Sequence, residues 1–168
     1  SKKTITEGHR LRHELAMKYK HLSPDLIHLL GPGADSIRRR EKGEMLAPYL
    51  FSTTIENSLE NDYFTEKILD CFISGTVPIY WGCNSIGDYF DKSGIISFNN
   101  IDQLEDIFAK IKADPQKVYN SMTNAIVNNY ELAKRYMYID DIYLLEIIEF
   151  LSEKGKLNDF IPMLLNHQ

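Results

Sequence analysis

The chain contains only two cysteines, Cys71 and Cys83, both set among apolar residues. Two are too few for a disulfide framework and offer no zinc spacing, so a reducing compartment is expected. No apolar run approaches the roughly 20 residues of a membrane-spanning helix, and none is expected. GxGxxG, the Walker loop and GxSxG are all missing, which removes the usual signatures of dinucleotide binding, P-loop hydrolysis and the hydrolase elbow. Basic excess is missing too: the formal net charge of −5 argues against a nucleic-acid partner. The local run Arg38-Arg39-Arg40 reads as a solvated connector. The chain starts at Ser1 without an initiator Met or signal-peptide pattern, as a piece of a longer protein would.

What is present is an ordinary globular composition, with 43% hydrophobic and 26% charged residues over 168 positions, enough for a core without staples. Leu11, Leu15 and Ala16 at helical spacing predict a helix from Glu7 to about Tyr19, with Thr6 able to cap it. Leu26–Leu30 predicts a short strand stopped by Gly31-Pro32-Gly33, and a brief helix is expected around Glu41–Ala47. Tyr49–Ile55, rich in β-formers, is expected to be a central strand. Turn residues Asn57–Asp62 lead into a helix from Tyr63 or Thr65 that ends at Gly75. Thr76–Trp81 is the next strand, with Pro78 near its start, followed by a short helix near Ile86–Phe90 and a strand from Ile95 to Phe98. Asp102 and Glu105 have capping-box spacing ahead of the stripe Leu104, Ile107, Phe108 and Ile111.

Beyond Asp114-Pro115 the pattern is helical, carried by Val118, Met122, Ala125, Ile126 and Leu132 and then Ile142, Leu145, Ile148 and Leu151. Strands alternating with helices imply an α/β fold, a Rossmann-like doubly wound parallel sheet followed by a helical tail. The expected organisation is a nucleotide-binding domain over residues 1–114, with residues 115–168 as helices packing on it.

In such sheets ligands sit beyond the carboxyl ends of the strands. The stretch Glu56–Lys67 occupies such a place. Lys67, in a helix's first turn, is poorly placed unless an anion is near, and that anion is either a bound phosphate or a surface carboxylate of Asp62 or Glu66. Glu66 is a first-turn acid or an acceptor for sugar hydroxyls. Glu56 and Asn57, directly after an apolar run, are satisfied by turn backbone or by ligand. Tyr63 stacks on a base or sugar, or packs as a staple. His9 and His13 are four residues apart on one helical face, yet no acid lies between them, so no metal site is expected.

The string Phe51-Ser52, Ile55-Glu56-Asn57-Ser58, Tyr63-Phe64-Thr65-Glu66-Lys67-Ile68 and Gly75-Thr76-Val77-Pro78-Ile79-Tyr80-Trp81-Gly82 closely resembles the C-terminal donor-binding domain of the family 10 α-1,3/4-fucosyltransferases, in its bacterial or viral form. The likeness is strongest over Tyr49–Phe98 and extends more weakly to Gly8-His9-Arg10 and to the helices beyond Asp102. The resemblance implies the C-terminal half of a GT-B fold that holds GDP-fucose, with Asn57, Tyr63, Glu66 and Lys67 as donor contacts and Arg10 as the diphosphate arginine. It further implies an inverting, metal-independent glycosyltransferase with no cofactor besides its donor. The general base and acceptor site are then expected outside this chain, in an N-terminal half or a partner chain that brings the glycan. An apolar surface left by that half would favour a homodimer. The alternatives are a non-catalytic module that binds a nucleotide or nucleotide sugar, a transferase using another GDP-sugar, and a flavodoxin-like domain with no preference for guanine. Lacking an anchor pattern and a set of cysteines, the chain is expected to be cytoplasmic or peripheral to a membrane.

Overall fold

Three short runs pair side by side with their chains pointing the same way. β1 (Phe51–Ile55), β2 (Val77–Trp81) and β3 (Ile96–Ser97) form a parallel sheet in the order β1-β2-β3. Phe51 lies opposite Val77, Ile55 opposite Trp81, and Ile79 opposite Ile96. The computed structural model describes residues 6–19, 45–137 and 149–155, and the expected strand at Leu26–Leu30, the Arg38–Arg40 run and Ile142–Ile148 lie outside them.

Among the described residues β2 is the middle strand, flanked by β1 and β3. Burial reflects this: every residue of β2 is buried, whereas in β1 Phe51 and Ser52 are part-buried, Thr53 is exposed and only Thr54 and Ile55 are buried. Only a strand covered on both faces and both edges is buried at every position. Pro78 is tolerated there because backbone N–H groups alternate along a strand. Val77 donates toward β1, to the Leu50 carbonyl at 2.9 Å, so the next position faces β3, whose pairing begins only at Ile79.

Parallel connections require crossovers, and helices supply them. α1 (Glu7–Tyr19) and α3 (Ile101–Ala113) pack on the sheet face carrying Ile55, Ile79, Trp81 and Phe98, with Leu15 and Leu104 completing that core. α2 (Glu66–Ile73) covers the opposite face, where Thr54 Oγ1 lies 3.1 Å from Cys71 Sγ. Period-two alternation thus divides the sheet between two helical layers, the expected doubly wound arrangement.

The ends of the helices follow local chemistry. Thr65 caps α2 in extended backbone, and Gly75, at φ 68°, closes it: its N–H donates to Phe72 and that of Thr76 to Cys71, the two bonds of a Schellman turn. α3 does not use the Asp102–Glu105 pair. Its cap is Asn100, which accepts from the Gln103 N–H at 2.9 Å, while Gln103 Oε1 accepts from the Asn99 N–H. The same reciprocal box has shifted two residues, and Glu105 is free to pair with Lys18 and Tyr19 of α1.

Asp114 caps α4 (Pro115–Ser121) with Pro115 in its first turn, and α5 (Thr123–Met137) follows. Asn129, fully buried, anchors α5 by accepting from the Asp91 N–H at 2.7 Å and donating to the Asp91 carbonyl at 2.9 Å. Contacts divide the chain into a unit of residues 1–133 and a second of 134–168, in which residues 149–153 are helical. No helix among the described residues is long and apolar enough to cross a membrane.

One close approach positions the site. Gly8 lies against the end of β1, with its N–H donating to the Asn57 carbonyl at 3.0 Å, and a Cβ there would fall 1.7 Å from the Glu56 carbonyl oxygen. Gly8→Ala is therefore expected to force α1 away from β1 and to destabilise the fold by about 2 kcal/mol or more. Thermal unfolding checks this, and an unchanged melting temperature would show that α1 is not docked here.

Candidate functional site

The carboxyl end of β1 runs directly into Glu56 and Asn57. Strand alternation turns the Glu56 side chain onto the α2 face, where it is completely buried. A carboxylate without water must find donors from the protein. Glu56 Oε1 accepts from the Thr65 N–H at 2.9 Å, and Oε2 accepts from the Thr65 hydroxyl at 2.8 Å and from Lys67 Nζ at 3.2 Å. Lys67 Nζ also donates to Thr65 Oγ1 at 2.7 Å. Glu56, Thr65 and Lys67 form a closed polar knot at the N-terminus of α2.

Gly82 makes room for that knot. A Cβ at this position would sit 2.6 Å from Glu56 Cγ and 2.6 Å from the Tyr80 hydroxyl. The Tyr80 hydroxyl in turn accepts from the Cys83 N–H at 3.1 Å, and burial pushes its pKa up.

From the other side, Arg12 of α1 reaches across the strand end. Its Nη2 donates to Asn57 Oδ1 at 2.8 Å, and its Nη1 donates to the carbonyl oxygens of Ile55 and Glu56, the latter at 3.3 Å. Burial lowers the Arg12 pKa, while the Glu56 charge and Tyr63 act to raise it. A guanidinium stays protonated under such shifts, so Arg12 brings a fixed positive charge to the junction.

The expected site residues divide into two groups. Asn57 and Lys67 lie in one polar cluster, linked through Glu56. Lys67 is not paired with Asp62: its close partner is the buried Glu56, with the exposed Glu66 carboxylate more distant at 3.9 Å. Two of its three N–H groups are engaged by Glu56 and Thr65, leaving capacity for one more acceptor. Glu66 occupies the first turn of α2 and is exposed, and Tyr63 is half-buried in the preceding loop. Arg10 is exposed, and no hydrogen bond or ion pair joins its guanidinium to the described residues.

The family resemblance implies Arg10, whereas the arginine that meets the strand end is Arg12. The missed signal was the helix period: Arg12 is one turn beyond Gly8, so once Gly8 touches Asn57, Arg12 faces the same strand end. The sequence marks Glu56 as a polar residue that needs satisfaction, and no local pattern points to Thr65 as its partner. His9 Nδ1 lies 2.7 Å from Thr6 Oγ1 at the start of α1, and His13 is exposed. Among the described residues no group of three or more His, Cys, Asp or Glu side chains is placed to hold a metal ion.

Comparison with known proteins adds a family and a fold to this description. The family model for the C-terminal region of glycosyltransferase family 10 (fucosyltransferase) matches residues 8–138. The α-(1,3)-fucosyltransferase FucT of Helicobacter pylori is 29% identical over 125 residues, covering 68% of this chain and 26% of that protein. The α-(1,3)-fucosyltransferase B of Drosophila melanogaster is 40% identical over 80 residues, covering 45% of this chain and 18% of that one. A crystal structure of an α1,3-fucosyltransferase with GDP superposes with a TM-score of 0.53 at 21% identity, covering 79% of this chain and 44% of that one, and so shares its fold. The chain thus spans about a quarter of the first curated relative and less than a fifth of the second.

The polar knot makes a direct prediction. Glu56→Gln turns an acceptor into an amide facing existing donors, and a loss of about 2–4 kcal/mol of stability is expected. Adding Lys67→Met should recover part of it, because the repelled cation is gone. Chemical denaturation of both variants measures this, and a Glu56→Gln chain as stable as wild type would refute the assigned role of Glu56.

Proposed function

The chain belongs to glycosyltransferase family 10, the fucosyltransferases, and from that premise we propose that it is the donor-binding half of an inverting enzyme that moves L-fucose from GDP-fucose to a glycan hydroxyl. One observation carries this reading: the matched segment, residues 8–138, contains the whole junction at the carboxyl end of β1, where Arg12, Asn57 and Lys67 gather beside the N-terminus of α2.

A diphosphate suits that place. Arg12 and Lys67 supply cations, and the helix N-terminus adds N–H groups and a partial positive charge. Because Glu56 largely balances Lys67, the surplus charge comes from Arg12 and from the exposed Arg10. Asn57, held by its Oδ1, keeps its amide N–H groups for the nucleotide or sugar, Tyr63 offers a stacking surface, and Glu66 an acceptor for fucose hydroxyls. As the bond from C1 to the diphosphate breaks, negative charge grows on the departing GDP, and cations already in place stabilise it without a metal. The attack comes from the opposite face of the sugar, by an acceptor hydroxyl whose proton is taken by a general base. That base and the acceptor come from a further half or a partner chain.

Calorimetry with GDP, GDP-fucose, UDP and ADP tests the donor. GDP and GDP-fucose are expected to bind and the others not, and Lys67→Ala and Asn57→Ala are each expected to weaken GDP by about tenfold or more. Arg10→Ala, on an exposed side chain, should weaken GDP without lowering the melting temperature. No binding of GDP by wild type overturns the reading. Binding of GDP-fucose without release of GDP, when acceptor sugars and the acceptor half are supplied, would make the protein a non-catalytic nucleotide-sugar module.

A further inference from the structure

Tyr63 stands between two residues that one neighbouring loop holds. On one side, Asp62 adopts left-handed backbone at φ 57°. Its N–H donates to Ser85 Oγ at 2.8 Å, and its Oδ1 accepts from the Ser85 hydroxyl at 2.6 Å and from the Tyr89 hydroxyl at 2.9 Å. On the other side, the Phe64 ring packs on Tyr89 at 5.1 Å and on Phe90 at 5.4 Å between centroids, and Phe90 continues to Phe72 of α2 at 4.8 Å. Tyr89 therefore engages both neighbours of Tyr63, one through its hydroxyl and one through its ring. The loop that carries these groups is itself fixed, since it leaves β2 at Gly82 and its Cys83 N–H donates to the buried Tyr80 hydroxyl.

Exposed hydrogen bonds of this kind add little to global stability, because water competes for every donor and acceptor. A left-handed non-glycine residue adds a small penalty. What the arrangement determines is the path of the 57–64 loop. We propose that Asp62, Ser85 and Tyr89 form a latch that holds this loop in its binding conformation and presents Tyr63 to the nucleotide, with Asp62 and Tyr89 acting as positioning residues. The proposal rests on the donor reading above and extends it to residues outside the expected donor contacts. Two hydroxyls donating to one carboxylate oxygen also favour the charged form, which holds the Asp62 pKa below its ordinary value. Latching the loop before the ligand arrives removes an ordering cost from binding.

The test uses the full 168-residue chain and three variants. Asp62→Gly keeps left-handed backbone accessible and removes the carboxylate, Tyr89→Phe keeps the ring and removes the hydroxyl, and Asp62→Asn keeps an acceptor oxygen and tolerates the same backbone. Asp62→Gly and Tyr89→Phe should speed amide exchange across residues 57–66 without ligand and weaken GDP binding by about threefold to tenfold. Asp62→Asn should restore both toward wild type, and melting temperatures should stay close together. Unchanged exchange and unchanged GDP affinity in Asp62→Gly and Tyr89→Phe overturn the latch. So does an affinity loss that merely follows a falling melting temperature. Wild type failing to bind GDP overturns the donor reading, whereas wild type binding GDP with the variants indistinguishable from it overturns only the latch.

Discussion

A carboxylate buried to zero exposure sets the terms for the rest of this structure. Glu56 leaves the end of β1 pointing into protein, and a charge in that position costs several kcal/mol unless donors surround it. Thr65 supplies two donors and Lys67 a third, so the first turn of α2 is tied to the last residue of the strand. Gly82 must lack a side chain for Glu56 to fit, and Gly8 must lack one for α1 to approach the same peptide from the opposite side. Three segments therefore converge on one residue, α2 and Gly82 on the Glu56 side chain and α1 on its carbonyl.

This arrangement changes what Lys67 can contribute. A lysine at a helix N-terminus repels the helix dipole, and the sequence alone leaves a phosphate or a surface carboxylate as its compensation. Here the compensation is internal, since Glu56 and Thr65 hold the ammonium in place before any ligand arrives. The cost of fixing a long, flexible side chain is met during folding and not during binding. A cation that is immobile and has one N–H to spare suits a diphosphate better than one that must be recruited from solvent. Arg12 is restrained in a similar way, through two backbone carbonyls and Asn57.

Much of the fold was legible in local pattern. The helix at Glu7–Tyr19 followed from the spacing of Leu11 and Leu15, and α2 from its apolar stripe and the closing glycine. Chain-local signals do not rank strands within a sheet: Tyr49–Ile55 and Thr76–Trp81 are both rich in β-formers, and only pairing shows that, among the described residues, β2 lies between β1 and β3. The capping error at α3 arose from two overlapping boxes, Asn100–Gln103 and Asp102–Glu105. The first is used, and Glu105 instead meets Lys18 from a helix over eighty residues earlier in the chain. Within the site, Asn57 and Lys67 could be placed by their position at a strand-to-helix junction. Arg12 could not, because its role depends on how α1 docks, and that depends on a glycine contact across more than forty residues.

The two loops that rise from the carboxyl ends of β1 and β2 differ in how they are held, and the difference bears on function. Each begins at a buried anchor, Glu56 in the first and the Tyr80 hydroxyl in the second. Beyond those anchors the first loop crosses exposed ground until Thr65, and its conformation there depends on the second loop through Asp62, Ser85, Tyr89 and Phe64. Lys67 and Arg12 are tied to the Glu56 anchor, and the half-buried Tyr63 lies on the stretch beyond it. The two cations are thus held by a buried carboxylate and by strand-end carbonyls, while the loop before Thr65 is held through solvent-accessible bonds. Segments of that second kind open at lower free energy than the core around them. The bonds of Asp62 to Ser85 and Tyr89 counter that tendency in the loop that carries Tyr63.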